Sequence, residues 1–218
     1  MLAKVSDRDS AGFLNKYRSA RDAGISLVSG ALVDLAVADN TLVDISGNNY
    51  RLTLNDGSAA VVDGVAAWHF AGGSVCILPE ADEFAFGEAP FTIEAKVYPT
   101  TDTRQCIFAY QHDGVFALPF SYDGDAMVGC FCRDSWYNQP FQAVLPLNRW
   151  THLKFVRNGN KISCIMDGVS AGNITLDTDF IGETDQYVSF GRWGNDPGDF
   201  RQRWQGYMAE MRIWQGVK

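Results

Sequence analysis

The segment from Trp150 to Gly168, WTHLKFVRNGNKISCIMDG, constrains the fold of this chain more tightly than any other. Leu153 and Phe155 alternate with His152 and Lys154, and Ile162, Cys164 and Met166 alternate in turn beyond a polar break. Successive side chains leave a strand on opposite faces, so apolar residues with a period of two describe a strand with one covered face. Asn158-Gly159 between the runs fits a type I′ hairpin turn, whose two central residues both take positive φ.

The alternation recurs through most of the chain. In FTIEAKVYPT, residues 91–100, Ile93, Ala95 and Val97 share one face and Thr92, Glu94 and Lys96 the other, the pattern of a sheet with one wet side. Further runs at 51–54, 65–70, 73–78, 105–111, 115–122, 126–132, 141–145, 187–192 and 205–214 are divided by Gly, Asn, Asp and Pro clusters, which punctuate strands. They outnumber the strands of an immunoglobulin sandwich, so the expected fold is all-β, a two-sheet jelly-roll sandwich over residues 31–218. Residues 1–30 read differently. From Ser6 to Ala23 the chain is polar, with Phe13, Leu14 and Tyr17 at helical spacing and Gly24 as a stop. A short helical arm of this kind is not stable alone and must dock on its own sandwich or on a partner.

A formal charge of −8 argues against binding of the whole molecule to a nucleic-acid duplex or an anionic membrane, because such binding neutralises phosphates with Lys and Arg. The charge is uneven: in the arm, Lys4, Arg8, Lys16, Arg18 and Arg21 outnumber Asp7, Asp9 and Asp22. Cys76, Cys106, Cys130, Cys132 and Cys164 are an odd set without regular spacing, and no apolar stretch near Met1 has the length of a secretory signal or a membrane span. The expectation is a chain with reduced thiols, made in a cytoplasm and not inserted in a membrane. Release within an assembled particle, or export by a non-classical route, stays open.

Several segments together resemble the laminin-G-like, or concanavalin-A-like lectin/glucanase, superfamily. They are Asp44-Ile45-Ser46-Gly47-Asn48, the strand from Pro90 to Ala95, the hairpin opening Trp150-Thr151-His152, Met166-Asp167-Gly168, Ser189-Phe190-Gly191-Arg192, and the closing run from Phe200 to Trp214. They follow the family's order over roughly residues 32–214. The resemblance implies a jelly roll whose members bind glycans or proteins through rim loops or the concave face, some with calcium, while a minority hydrolyse glycosides. One sandwich hosts many activities, so residues must decide the function.

Catalysis finds little support in those residues. A glycosidase needs two carboxylates flanking the scissile bond. The family's hydrolases cluster theirs on one strand, whereas here Glu94 is followed by Ala95, Lys96, Val97 and Tyr98. Glu94 reads as a solvated strand residue paired across the sheet. His69, His112 and His152 stand apart from one another, no serine sits in a GxSxG turn, and Cys130 with Cys132 supplies half of a structural zinc site at most. No catalytic residue and no cofactor is expected. The oxygen-rich loops Asp123-Gly124-Asp125 and Asn195-Asp196-Pro197-Gly198-Asp199 carry ligand types that calcium prefers, yet such turns are common without metal. Ala209 stands where many relatives have an aspartate, which counts against a calcium site that uses it.

For ligand contact the expected residues are Arg133, Asp134, Trp136, Tyr137 and Asn138, a loop mixing aromatic faces with hydrogen-bonding groups, and Trp193 with Asn195. Trp136 or Tyr137 could instead fold over a sheet edge, and for the Trp193 segment packing is the favoured reading, since the resemblance implies that the sandwich closes near it. Trp68, Trp150 and Trp214 read as core or sheet-face residues. For assembly the expected residues are Phe13, Leu14, Tyr17, Arg18 and Arg21. The expected function is a non-catalytic structural and binding module: a virion component such as a phage decoration, spike or tail protein, by family analogy. It would be anchored by its arm to other virion proteins as a homo-oligomer and able to meet a cell-surface glycan. A free lectin-like module is the alternative, and a glucanase a remote one.

Overall fold

The computed structural model describes residues 30–111, 116–120, 128, 131–132, 141, 143–175, 187–192 and 203–218. The expected helical arm lies outside them. The described residues form thirteen strands and one 3-10 turn, Asp82–Phe84, with no α-helix. The strands are β1 (Val33–Ala38), β2 (Thr41–Asp44), β3 (Thr53–Val62), β4 (Val65–Ile77), β5 (Phe91–Pro99), β6 (Gln105–Gln111), β7 (Phe116–Phe120), β8 (Phe131–Cys132), β9 (Thr151–Asn158), β10 (Lys161–Met166), β11 (Val169–Thr175), β12 (Tyr187–Phe190) and β13 (Gln205–Gln215).

One layer runs β11-β10-β9-β5-β13 and the other β12-β6-β7-β8, with every pairing antiparallel. Strand β4 joins them. Its residues Trp68 to Ala71 pair with β13, whereas Cys76 and Ile77 pair with β12. The hand-over falls at Gly72, whose φ of 73° bends the strand without ending it. This is why the runs 65–70 and 73–78 are one strand. Opposite the bend, β3 bulges between Asn55 and Gly57, with Asp56 at a φ of 51°. The Ser74 hydroxyl locks the corner by donating to Asp56 O at 2.5 Å and accepting from Ala71 N–H at 2.9 Å. Corners of jelly rolls arise where strands change sheets at such bulges.

The core between the layers is aromatic. Phe70, Phe84, Phe91, Phe108, Tyr110, Phe141, Phe155, Phe190 and Trp204 are all buried in it. Each such phenylalanine contributes about 1.5–3 kcal/mol relative to exposure. Phe141 and Leu145 reach the core beside Val128. Phe141 N–H donates to Val128 O at 2.8 Å and Val128 N–H to Ala143 O at 3.0 Å.

The turn chemistry corrects one expectation. Asn158 pairs with Lys161, so the loop of the 150–168 hairpin is Gly159-Asn160, and Gly159 alone of the two takes positive φ, the II′ pattern. Positive φ at both central residues, the I′ pattern, occurs instead at Asp39-Asn40, Asp63-Gly64 and Asp167-Gly168, joining β1 to β2, β3 to β4 and β10 to β11.

The Asp44 segment that carried the family resemblance is a structural knot. Asp44 Oδ1 accepts from the backbone N–H groups of Asp34 and Ser46, each at 3.1 Å. Its Oδ2 accepts from Ser46 Oγ and from Tyr50 N–H, each at 2.9 Å. Burial pushes this carboxyl above its ordinary value, and the four donors offset only part of that rise.

Candidate functional site

Strand β13 makes the face that could carry function. It begins with apolar residues directed inward at Met208, and strict alternation would then send Glu210 and Arg212 into the core. A bulge intervenes: Glu210 and Met211 together oppose Ala95, and Glu210 takes a φ of 50°. The extra residue resets the phase, so Met211 and Ile213 are buried while Glu210 and Arg212 join the outer face.

Three rows of side chains cross that outer face. The first is aromatic. Tyr207 stands directly opposite both His69 on β4 and Tyr98 on β5. The His69 and Tyr207 rings stack at 4.7 Å, Tyr207 meets Tyr98 edge to face at 5.7 Å, and Tyr98 meets Trp150 edge to face at 5.3 Å. All four are half-buried, and Trp150 Nε1 donates to Val62 O at 3.0 Å, tying the row's end to the β3–β4 turn.

The second row holds Glu210, Lys96 and His152. Lys96 Nζ lies 2.5 Å from Glu210 Oε1, and Lys96 stands opposite His152. The third is an alternating ladder across four strands: Asp34 on β1 opposes Arg212, Arg212 opposes Glu94, and Glu94 opposes Lys154. Arg212 Nε meets Asp34 Oδ1 at 3.0 Å, its Nη1 meets Glu210 Oε2 at 3.3 Å, and Lys154 Nζ meets Glu94 Oε1 at 3.1 Å. His152 Nε2 adds a contact with Glu94 Oε2 at 3.7 Å.

These pairings set the state of both glutamates. Burial pushes the Glu94 carboxyl up, but hydrogen bonds from His152 and Lys154 and the Lys154 charge outweigh it and hold it below the ordinary value. Burial likewise raises Glu210, and Lys96 with Arg212 outweighs it. Glu94 is therefore paired across the sheet as expected, but it is largely covered and not solvated.

The face gathers residues that sequence reasoning set aside: Trp150, read as a sheet-face residue, and His69, read as isolated. Trp68 and Trp214 are buried, in keeping with their reading. The signal for the row was bulky rings at wet positions of several strands, but strand order was needed to line them up. The expected ligand residues Arg133, Asp134, Trp136, Tyr137, Asn138, Trp193 and Asn195 lie outside the described residues. So do Phe13, Leu14, Tyr17, Arg18 and Arg21, both calcium-type loops, His112 and Cys130; of Cys132 only the backbone is described.

The family model for the concanavalin A-like lectin/glucanases superfamily, in its laminin-G form, matches residues 70–218. The chain belongs to this superfamily. No curated protein sequence matches it. Among solved structures, this superfamily member is similar to domain 4 of AbnA, a GH43 extracellular arabinanase from Geobacillus stearothermophilus, in complex with arabinotriose. The TM-score is 0.62 at 20% identity, covering 79% of this chain and 86% of that one. It is also similar to the binding domain of botulinum neurotoxin DC in complex with SialylT, at TM-score 0.64, 11% identity and 87% coverage. The binding domain of Paraclostridial Mosquitocidal Protein 1 matches at TM-score 0.61, 14% identity and 87% coverage. This chain spans only 49% of each of these last two domains. At such identities the likeness shows the fold.

Proposed function

We propose that this protein is a non-catalytic glycan-binding module that holds saccharide on the outer face of β4, β13, β5 and β9. The observation that carries the reading is the aromatic row His69, Tyr207, Tyr98 and Trp150, bordered by charged hydrogen-bonding groups. Ring faces pack on the apolar faces of sugars, and carboxylates and ammonium groups bond their hydroxyls. The similar folds solved with arabinotriose and with SialylT support a saccharide as the general class of ligand, neutral in one case and sialylated in the other.

Glu94 and Glu210 support the non-catalytic reading. A glycosidase acid must keep its proton near neutral pH through a raised pKa, whereas both of these carboxylates are held ionised by cations. The test is a glycan array with the wild type, Tyr207→Ala and Trp136→Ala. Loss of binding in Tyr207→Ala, with circular dichroism unchanged, supports the sheet face. Loss in Trp136→Ala alone moves the site to the 133–139 loop.

The role as a virion or other assembly component, anchored by residues 1–30, rests on the excess of basic groups in that arm over an acidic remainder. Light scattering with and without residues 1–30 tests it: a defined oligomer that collapses to monomer on truncation supports anchoring, and a monomer in both cases removes it.

A further inference from the structure

We infer that the face selects neutral glycans and rejects acidic ones, a refinement that rests on the glycan-binding reading above. The inference comes from how the charges of the face's described residues pair with one another. Lys96 is held by Glu210, Lys154 by Glu94, and Arg212 by Asp34 and Glu210. At the β9 end of the aromatic row, Arg149 lies 3.7 Å from Asp167. Each of these cations already faces a carboxylate of the chain itself.

A sugar carboxylate, such as that of a sialic or uronic acid, would have to displace one of those internal partners to gain a cation. In doing so it would come beside Glu94 and Glu210, which are both charged. Like charges brought together cost free energy, and a displaced internal carboxylate loses its own pairing. A neutral hydroxyl-rich ligand meets no such conflict. It bonds to the carboxylate lone pairs and ammonium hydrogens that the ion pairs leave unused, while its apolar face lies on Tyr207 and Tyr98.

The geometry is specific enough to be reversed. Glu210 is the shared partner of Lys96 and Arg212 and is the more open of the two face glutamates, with 37% of its side chain exposed against 13% for Glu94. Glu210→Gln keeps the shape and removes the charge. Lys96 is then left without its carboxylate, and an acidic sugar can take that place.

The experiment is isothermal titration calorimetry of the full chain with matched oligosaccharides, each neutral one paired with its sialylated or uronic counterpart. The probes are neutral arabino-, xylo- and galacto-oligosaccharides and their acidic partners. The wild type is expected to bind a neutral member at least about tenfold more tightly than its acidic partner. Glu210→Gln narrows that ratio by about fivefold, the span of one exposed ion pair. Preference of the wild type for the acidic member, weakened by Lys96→Gln, overturns the inference and leaves glycan binding standing. An unchanged ratio in Glu210→Gln, with circular dichroism confirming the fold, overturns the assignment to this face. Absence of heat with every probe at millimolar concentration overturns glycan binding and this inference together.

Discussion

Arg212 and Asp34 stand directly opposite each other across the β1–β13 pair, with Arg212 Nε donating to Asp34 Oδ1 at 3.0 Å. The pair ties the first described strand to the last, and Asp34 keeps only 2% of its side chain exposed. Arg212→Leu would leave that carboxylate buried without its guanidinium. A cost of about 3–5 kcal/mol in urea unfolding is expected, because a buried carboxylate loses its guanidinium countercharge. The double variant Arg212→Leu/Asp34→Asn should recover most of the loss. A single-variant cost below about 1 kcal/mol would show that the pair holds nothing together.

Asp44 makes a different kind of prediction. All four of its contacts are donors, so Asp44→Asn turns an amide N–H toward either Tyr50 N–H and Ser46 Oγ or toward Asp34 N–H and Ser46 N–H. Two donors facing each other in a buried site cost about 1–3 kcal/mol. Thermal unfolding checks this, and an unchanged Tm would mean that the knot is dispensable.

Gly206 permits the close approach of β13 to β5. A Cβ built there would lie 2.1 Å from Tyr98 O, on a backbone with φ of 136°. Gly206→Ala must move backbone and is expected to cost about 2 kcal/mol or more, and to disturb the Tyr98 and Tyr207 rings. Gly159→Ala, also at positive φ but with open space around it, should cost only about 1 kcal/mol. Equal costs by denaturant titration would refute the packing argument.

The ion pairs on the outer face give a pH signature. Glu94 and Glu210 have folded pKa values below the 4.5 of a free glutamate. Their contribution is therefore complete above that value and lost as pH falls through the folded ones. Glu94→Gln and Glu210→Gln should be less stable than wild type at pH 7, with the difference shrinking below pH 4.5. A difference independent of pH would mean that the glutamates act through packing and not through charge.

The buried thiols should be silent. Desolvation pushes Cys76 and Cys106 far up, with Asp44 adding to the rise at Cys76, and pushes Cys164 up to about 12. In a Cys130→Ser/Cys132→Ser background, a thiol reagent at pH 8 should label nothing in the native chain and all three cysteines in denaturant. Rapid native labelling of any of them would place that thiol in solvent.

Much of the fold was legible because period-two alternation records only local geometry. The inward set Ile93, Ala95 and Val97 and the hairpin strands around Leu153 and Ile162 follow directly from it. Alternation failed where the backbone departs from regularity. Gly72 looked like a break between strands and is a bend within one, because its positive φ keeps the chain in the sheet while changing its partner from β13 to β12. The hairpin turn was displaced by one residue, since Asn158 is taken up by pairing with Lys161. The site was less legible still: Tyr98, Tyr207, His69 and Trp150 come from distant parts of the chain and become a row only through strand order.

The sequence by itself determined an all-β sandwich with one apolar and one polar side to its strands, because burial of alternate side chains is written in their spacing. Tertiary structure decided which strands are neighbours and where β13 bulges. The register of that single extra residue sends Arg212 outward to Asp34 and Met211 inward to the core, and brings Glu210 to Lys96. Hydrogen bonding between strands far apart in the chain fixes that register, and no local pattern encodes it.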